Sequence, residues 1–307
     1  MENFEKDKNN KEKIIYADHA ATTYVLPEVL EEMLPYFADN FGNPSSTYTL
    51  GRKSKEAIEL ARCRIAKVLG CDSTEVYYTS GGSESDNLII RGIAHANRDK
   101  GNHIITTKIE HSAVINTCKD LEKEGYLVTY LDVDKNGKID LDVLRRSITE
   151  DTILVSIMFA NNEVGTIQPI QEIGKITRFK QVIFHTDAVQ AVGSVKIDVK
   201  NLGIDALSLS SHKFYGPKGI GAAYIKSGIK FEHEIAGGHQ ECSKRAGTEN
   251  VPAIVGMGKA IQIAYENMDK DVTKISAIRD YAIRQIESQV PNCILNGHRE
   301  DRLPREC

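Results

Sequence analysis

Apolar runs of strand length recur through the middle of the chain, at 75–79, 104–107, 152–159, 182–187, 205–209 and 219–226, and each gives way to polar or turn-forming residues. Runs this short, rich in β-branched and aromatic residues, read as strands buried on both faces. Between and around them lie stretches with apolar residues at helical spacing, led by 56–70, where Gly70 supplies the stop. Further helices are predicted after a cap at Thr23 or Tyr24 ahead of Pro27 and Glu28, from Gly82 through LIIRGIAHAN, from Glu110-His111, from near Asp140, over 252–267 and over 270–290. A short strand is predicted over 14–18. The alternation of strand and helix from 75 to 226, without internal repeats, predicts an α/β fold with a mostly parallel sheet covered by helices on both faces.

The reactive side chains gather where the predicted strands end. The run 205–209 leads into Ser210, Ser211, His212 and Lys213, so hydroxyls, an imidazole and an ammonium leave the sheet together. A lysine amine beside other donors and partly desolvated has a lowered pKa and can form a Schiff base with an aldehyde cofactor, while Ser210 and His212 hold a phosphate. A surface lysine in the loop of Gly216, Pro217 and Gly219 accounts for this stretch equally well. The strand at 182–187 ends in Asp187, and a carboxylate at that end of an open α/β sheet points into the ligand crevice. There it would keep a pyridine nitrogen protonated; the alternative is a carboxylate capping the next turn. Gly81 and Gly82 permit close backbone approach, and the helix after them offers its first amides with the Ser83 hydroxyl, as a phosphate site or as an ordinary cap. Asp132, Asp134, Asn136 and Gly137 begin like a calcium loop, but Val143 stands where a bidentate Glu is required. A strand, a turn at Asn136-Gly137 and a helix are expected there, and no metal site.

The blocks HTDAVQ, SLSSHKFYGPKGIG, NNEVGTIQPI and AGTENV together resemble the cysteine desulfurases of the NifS/IscS kind, within the class V aminotransferases, over about 16–304. The resemblance implies pyridoxal 5'-phosphate (PLP) as cofactor and the fold type I of PLP-dependent transferases. That fold has a seven-stranded-type sheet in a large domain over 14–265, whose N-terminal segment contributes to a small α+β domain that begins at 266–307 and is incomplete. It implies that Lys213 carries PLP, that Asp187 faces the ring nitrogen, and that His111 stacks on the ring and moves protons. Asn162 would contact the cofactor, Gln190 its phenolic oxygen, and Gly82, Ser83, Ser210 and His212 its phosphate. Gly82-Ser83 stands where the family usually has Ala-Thr. Thr248 would reach the phosphate of a neighbouring subunit in a homodimer.

The activity so implied converts L-cysteine to L-alanine and passes sulfur through an enzyme persulfide to an acceptor or scaffold protein for iron-sulfur cluster assembly. A PLP-binding remnant or dimer partner without activity, and a class V aminotransferase or lyase with another substrate, are the alternatives. In the family the nucleophilic cysteine follows in a loop of small residues beyond this stretch, and the arginine that binds the substrate carboxylate comes later still. Cys307 lacks that setting. Poor turnover of cysteine and uncovered apolar surface on the 251–267 helix and its neighbours are therefore expected.

Composition narrows the picture further. With 307 residues, 41% hydrophobic, 27% charged and a net charge of −4, the chain can bury a large core but offers no basic field for nucleic acid. No apolar run reaches spanning length, and MENFEKDKNNKEK has no secretory h-region, so no membrane role is expected and 1–13 read as a charged disordered tail. The six cysteines, Cys63, Cys71, Cys118, Cys242, Cys293 and Cys307, form no CxxC pair, which suits a reducing cytoplasm. Cys63, inside the 56–70 helix, is expected to be packed.

Overall fold

The computed structural model describes residues 15–306; the predicted tail 1–13 and Cys307 lie outside the described residues. Its strands are β1 (Val76–Thr79), β2 (His103–Thr107), β3 (Leu127–Leu131), β4 (Thr152–Ser156), β5 (Ile183–Asp187), β6 (Ala206–Ser210) and β7 (Gly221–Ile225). They form a seven-stranded sheet in the order β1-β7-β6-β5-β4-β2-β3. The stretch from β6 to β3 is parallel, and only β7 pairs antiparallel, with β6 on one side and β1 on the other. The longer helices are α1 (Pro27–Met33), α2 (Thr49–Leu69), α3 (Gly82–Ala96), α4 (Ser112–Lys123), α5 (Leu141–Ser147), α6 (Ile170–Lys180) and α7 (Val251–Gln289).

Successive strand residues feed two cores, as side chains alternate across a pleated strand. Ile104, Leu154 and Ala223 pack with Leu88, Ile89 and Ile93 of α3 and Val114 and Leu121 of α4. Their neighbours Ile105, Val155 and Tyr224 turn to the other face, with Ile65 of α2, Ile173 of α6 and Ile254 and Ile261 of α7. Phe184 is fully buried, and each such side chain contributes about 1.5–3 kcal/mol. Chain order reverses between β2 and β4, so the parallel strand ends open a crevice at that switch point.

Several predicted boundaries move for physical reasons. Residues 15–18 form no strand, and Ile15 is exposed; the segment after them lies along the site instead, with Thr23 N donating to His212 O at 2.9 Å. Neither Thr23 nor Tyr24 caps α1: its N-cap is Leu26, with Pro27 at the first helical position, and the Thr23 hydroxyl is used on His212 O and Tyr215 N. The predicted strand over 152–159 stops at Ser156, and the one over 75–79 starts at Val76 because Glu75 closes a tight turn. The helix predicted at 56–70 begins at Thr49 and ends where expected, with Gly70 at φ 71°.

Two helices predicted over 252–267 and 270–290 are one. The chain across Asn267, Met268 and Asp269 carries neither Gly nor Pro, and Met268 stays buried. Val251 to Ile261 is buried rather than uncovered, whereas Ile278, Tyr281 and Ile286 further along α7 are exposed. Cys63 is exposed, since the buried stripe of α2 runs through Ala57, Ile58, Ala61, Arg62 and Ile65 and leaves position 63 outside it.

Candidate functional site

A cavity of about 650 Å³ opens at the C-terminal ends of β4, β5 and β6. Gly82, Ser83, His111, Asn162, Asp187, Gln190, Ser210, His212 and Lys213 all line it, so residues from five separate stretches of sequence converge there. A second cavity of about 420 Å³ shares Gly82, Ser83, Ser210 and His212 with the first and adds Thr22 and Lys218. Thr248 is exposed and lines neither.

Lys213 ends the tight turn Ser211–Lys213 that follows β6. Its Nζ donates to the carbonyls of Ala20 and, at 3.1 Å, Ala21, so the N-terminal segment holds the amine at the cavity wall. Burial and the nearby Arg305 cation hold its pKa below the ordinary lysine value, with Glu306, Asp187 and Asp18 opposing. An amine so placed is a better nucleophile and proton acceptor near neutrality.

Asp187 is the last residue of β5 and only 7% exposed. Its Oδ1 accepts from Val189 N at 2.9 Å. Burial raises its pKa, against the opposing effects of that amide, His111 and Lys213. His111 is the N-cap of α4, its Nδ1 accepting from Ala113 N at 3.2 Å. A neutral imidazole with Nδ1 so engaged carries its proton on Nε2. Gln190 donates to Ala20 O at 3.1 Å, while its buried Oε1 has no partner.

The smaller cavity gathers hydrogen-bond donors. The start of α3, with first-turn amides that have no intrahelical acceptor, lines it beside the Ser83 and Ser210 hydroxyls. A Cβ at Gly82 would meet Val189 Cγ2 at 2.7 Å, so a side chain there would need Val189 to shift. His212 is held neutral: burial, then the charges of Lys213 and Lys218, push it down to about 4. Its Nδ1 lies 3.0 Å from Thr22 Oγ1. Two formally charged side chains line this wall: Lys218, whose Nζ also reaches Thr23 O at 3.4 Å, and Glu84, whose carboxylate accepts from Arg245 Nε at 2.7 Å.

Sequence reasoning passed over Lys218, Asp86, Glu110 and the pair Arg305-Glu306. Asp86 had a readable signal: it falls at helical spacing with Ile89, Ile90 and Ile93, an acid on the apolar stripe of α3. Glu110 is buried, its Oε1 accepting from Thr107 Oγ1 at 2.7 Å and Met158 N at 2.9 Å, and burial pushes its pKa up to about 8. Arg305 donates to Lys213 O at 2.7 Å and to Ser194 Oγ, and Glu306 lines the large cavity. Nothing local in the sequence announces those contacts. Among the described residues, no cysteine lines either cavity.

Known proteins resemble this chain over most of its length. Residues 15–305 match the family Aminotransferase class-V. The chain is 57% identical over 294 residues to the cysteine desulfurase IscS of Clostridium botulinum (strain Hall), covering 95% of this chain and 74% of that protein. Against the cysteine desulfurase IscS of Methanosarcina thermophila the figures are 56% over 295 residues, 96% and 73%. A NifS-like protein superposes with a TM-score of 0.92 at 40% identity, over 94% of this chain and 80% of the other. A structure of SspA in complex with cysteine superposes with a TM-score of 0.79 at 43% identity, over 81% and 72%. With the family's fold, and with residues that match its motifs gathered around one crevice, the chain belongs to the cysteine desulfurases of the class V aminotransferases.

Proposed function

We propose that this protein is a PLP-dependent cysteine desulfurase that takes sulfur from L-cysteine and leaves L-alanine. The observation that carries this reading is the two-part cavity, in which a buried amine and a buried carboxylate at the ends of adjacent strands face one chamber and an anion-binding wall forms the next. The cofactor of the family fits that division. The unpartnered Gln190 Oε1 and the close backbone approach at Gly82 are features that a bound ring and phosphate would use.

In this reading Ser83, Ser210, His212 and the first amides of α3 hold the phosphate, with Gly82 allowing the approach and Lys218 supplying charge. Asp187 holds the ring nitrogen's proton, His111 covers the ring, and Asn162 and Gln190 fix its edge. When bound, PLP supplies a carbonyl that condenses with amines and a sink for the electrons of the substrate's Cα–H bond. Lys213 Nζ anchors the cofactor and then takes and returns the proton at the substrate Cα. A thiolate attacks the substrate sulfur, the Cβ–S bond breaks, its electron pair stays on carbon and is protonated to give alanine, and the thiol departs as a persulfide. Among the described residues, no cysteine at either cavity stands ready to supply that thiol.

A homodimer completes the site in this reading, with the exposed Thr248 reaching the partner's phosphate, and a sulfur-acceptor or scaffold protein takes the persulfide sulfur for iron-sulfur cluster assembly. A reducing compartment, the cytoplasm, fits the five unpaired cysteines among the described residues. No helix among the described residues is long and apolar enough to cross a membrane.

A second reading, a chain that binds PLP without turning cysteine over, is favoured by the lack of a cysteine at either cavity among the described residues. Borohydride reduction with peptide mapping, run beside an assay of cysteine-dependent sulfide and alanine, separates the two. A label on Lys213 with equal yields of sulfide and alanine supports the desulfurase. A label on Lys213 without sulfide supports the second reading, and a label on another lysine overturns both.

A further inference from the structure

Asp86 sits on the second turn of α3, 1% exposed, among residues that ought to be apolar. Its Oδ1 has no hydrogen-bond partner. Ligand atoms of Asp86, Asp187 and His111 all lie within 4.8 Å of one another, and Asp86 lines the large cavity beside Asp187. The groups facing it from the packed elements supply little positive charge. His185 of β5 is 3.7 Å from its Oδ1, but that imidazole is fully buried and spans Ser156 Oγ at 2.8 Å and Ser208 Oγ at 3.0 Å. Burial pushes His185 down to about 3, so it is neutral. Glu110 adds a third buried acid, and the electrostatic effects of His111 and Lys213 fall on Asp187.

We propose that Asp86 is a positioning residue for the cofactor, acting through Asp187: the two buried carboxyls share one proton, which Asp86 holds while Asp187 stays ionised for the ring nitrogen. Two carboxylates this close and this buried cannot both be ionised at ordinary cost, so one proton stays with the pair. The assignment of that proton follows from the partners. Asp187 has the Val189 amide, His111 and Lys213 to stabilise its charge. Asp86 has burial and then the Asp187 charge against it, and both raise its pKa, with only the Ser208 hydroxyl opposing. The arrangement serves the bound state: a protonated ring nitrogen beside Asp187 makes the pair's remaining proton easier to lose, so cofactor binding and proton release are linked.

This inference rests on the PLP reading of the site, but its first test does not. In the cofactor-free protein, the stability tied to the Asp86 proton is complete below the unfolded carboxyl pKa of about 3.9 and is lost as pH rises through the higher folded value. Asp86→Asn stays neutral, so its urea midpoint should gain on the wild type as pH climbs from 5 to 9. A gap that does not change with pH overturns the shared proton. The second test measures PLP dissociation constants by dialysis across the same range. The ratio of the variant's Kd to that of the wild type should rise with pH, by up to about tenfold per unit between the free and bound pKa values. A residue that only supports the fold would change Kd by one constant factor, so a flat ratio overturns the positioning role. Failure of PLP to bind either protein would overturn the cofactor reading while the urea series still decides the pair. Stoichiometric divalent metal retained by the wild type and lost in Asp86→Asn would show an ion where the proton is placed, and overturns the proposal.

Discussion

Arg62 and Glu241 are buried, at 9% and 8% exposure, as are Asp86 and Asp187, at 1% and 7%. Their surroundings differ in kind. Both Glu241 oxygens accept from Arg62 at 2.8 Å, Tyr78 N adds a bond at 2.8 Å, and the remaining guanidinium donors reach Val76 O at 2.7 Å and Glu59 at 3.3 Å. At the strand ends, Asp86 Oδ1, Glu110 Oε2 and Gln190 Oε1 are buried without partners. A buried ion pair as fully hydrogen-bonded as this holds structure in place. Here it fastens a loop in which Glu241, Cys242 and Ser243 all have left-handed backbones, each costing about 1–3 kcal/mol. Buried polar atoms left open are costly for folding alone, and they mark where a ligand completes the bonding.

The contrast can be broken most directly at Lys213. Lys213→Ala should lower cysteine-dependent sulfide release by about 10²–10⁴, the range of a lost general acid-base. A rate within tenfold of the wild type would mean that the open cluster is not the working site.

Glu241→Ala tests the filled cluster. It should cost about 3–5 kcal/mol in urea unfolding, because Arg62 is left buried and unpaired. A loss below about 1 kcal/mol would show that water reaches Arg62 and that the two clusters are less different than their bonding suggests.

Glu110 sharpens the comparison through pH. Its folded pKa, about 8, lies above the unfolded value, so the stability it contributes is complete at low pH and lost as pH rises through about 8. Unfolding titrations of the wild type and Glu110→Gln should therefore diverge between pH 5 and 9, with the variant gaining. Parallel curves would place the proton elsewhere.

The smallest expected effect belongs to the anion wall. Lys218→Ala should weaken PLP binding by about 1 kcal/mol, or roughly fivefold, measured by dialysis. The loss should shrink as salt is added, since Lys218 is exposed. A salt-independent loss would point to packing rather than charge.

Much of the large cavity was legible because its residues sit at strand ends, where a short apolar run and its closing polar residue are both visible in sequence. Asp187 and Lys213 were found that way. Boundaries were less legible where tertiary contacts decide them: 15–18 had strand composition but no strand beside it to pair with, and Thr23 had the composition of a cap but was drawn to His212 O. The join at Asn267 is not marked in the sequence reading, although no residue there interrupts a helix. Asp86 shows the reverse case, an exception to a helical pattern that went unread because the pattern itself was so clear. Arg305 reaches Lys213 across 92 positions of chain, a contact that no local pattern encodes.

The unbroken α7 also bears on how the protein opens. At 39 residues it spans about 58 Å, and its two ends live in different environments. Gly258 lies so close to α2 that a Cβ would meet Ala61 Cβ at 2.6 Å, while Ile278, Tyr281 and Ile286 face outward. Amide exchange along this one helix should therefore run as a gradient, slowest near Met257 and fastest toward Gln289, with no step at the middle. The helix would then open progressively from one end, fraying by itself near Gln289 and yielding near Met257 only with the sheet.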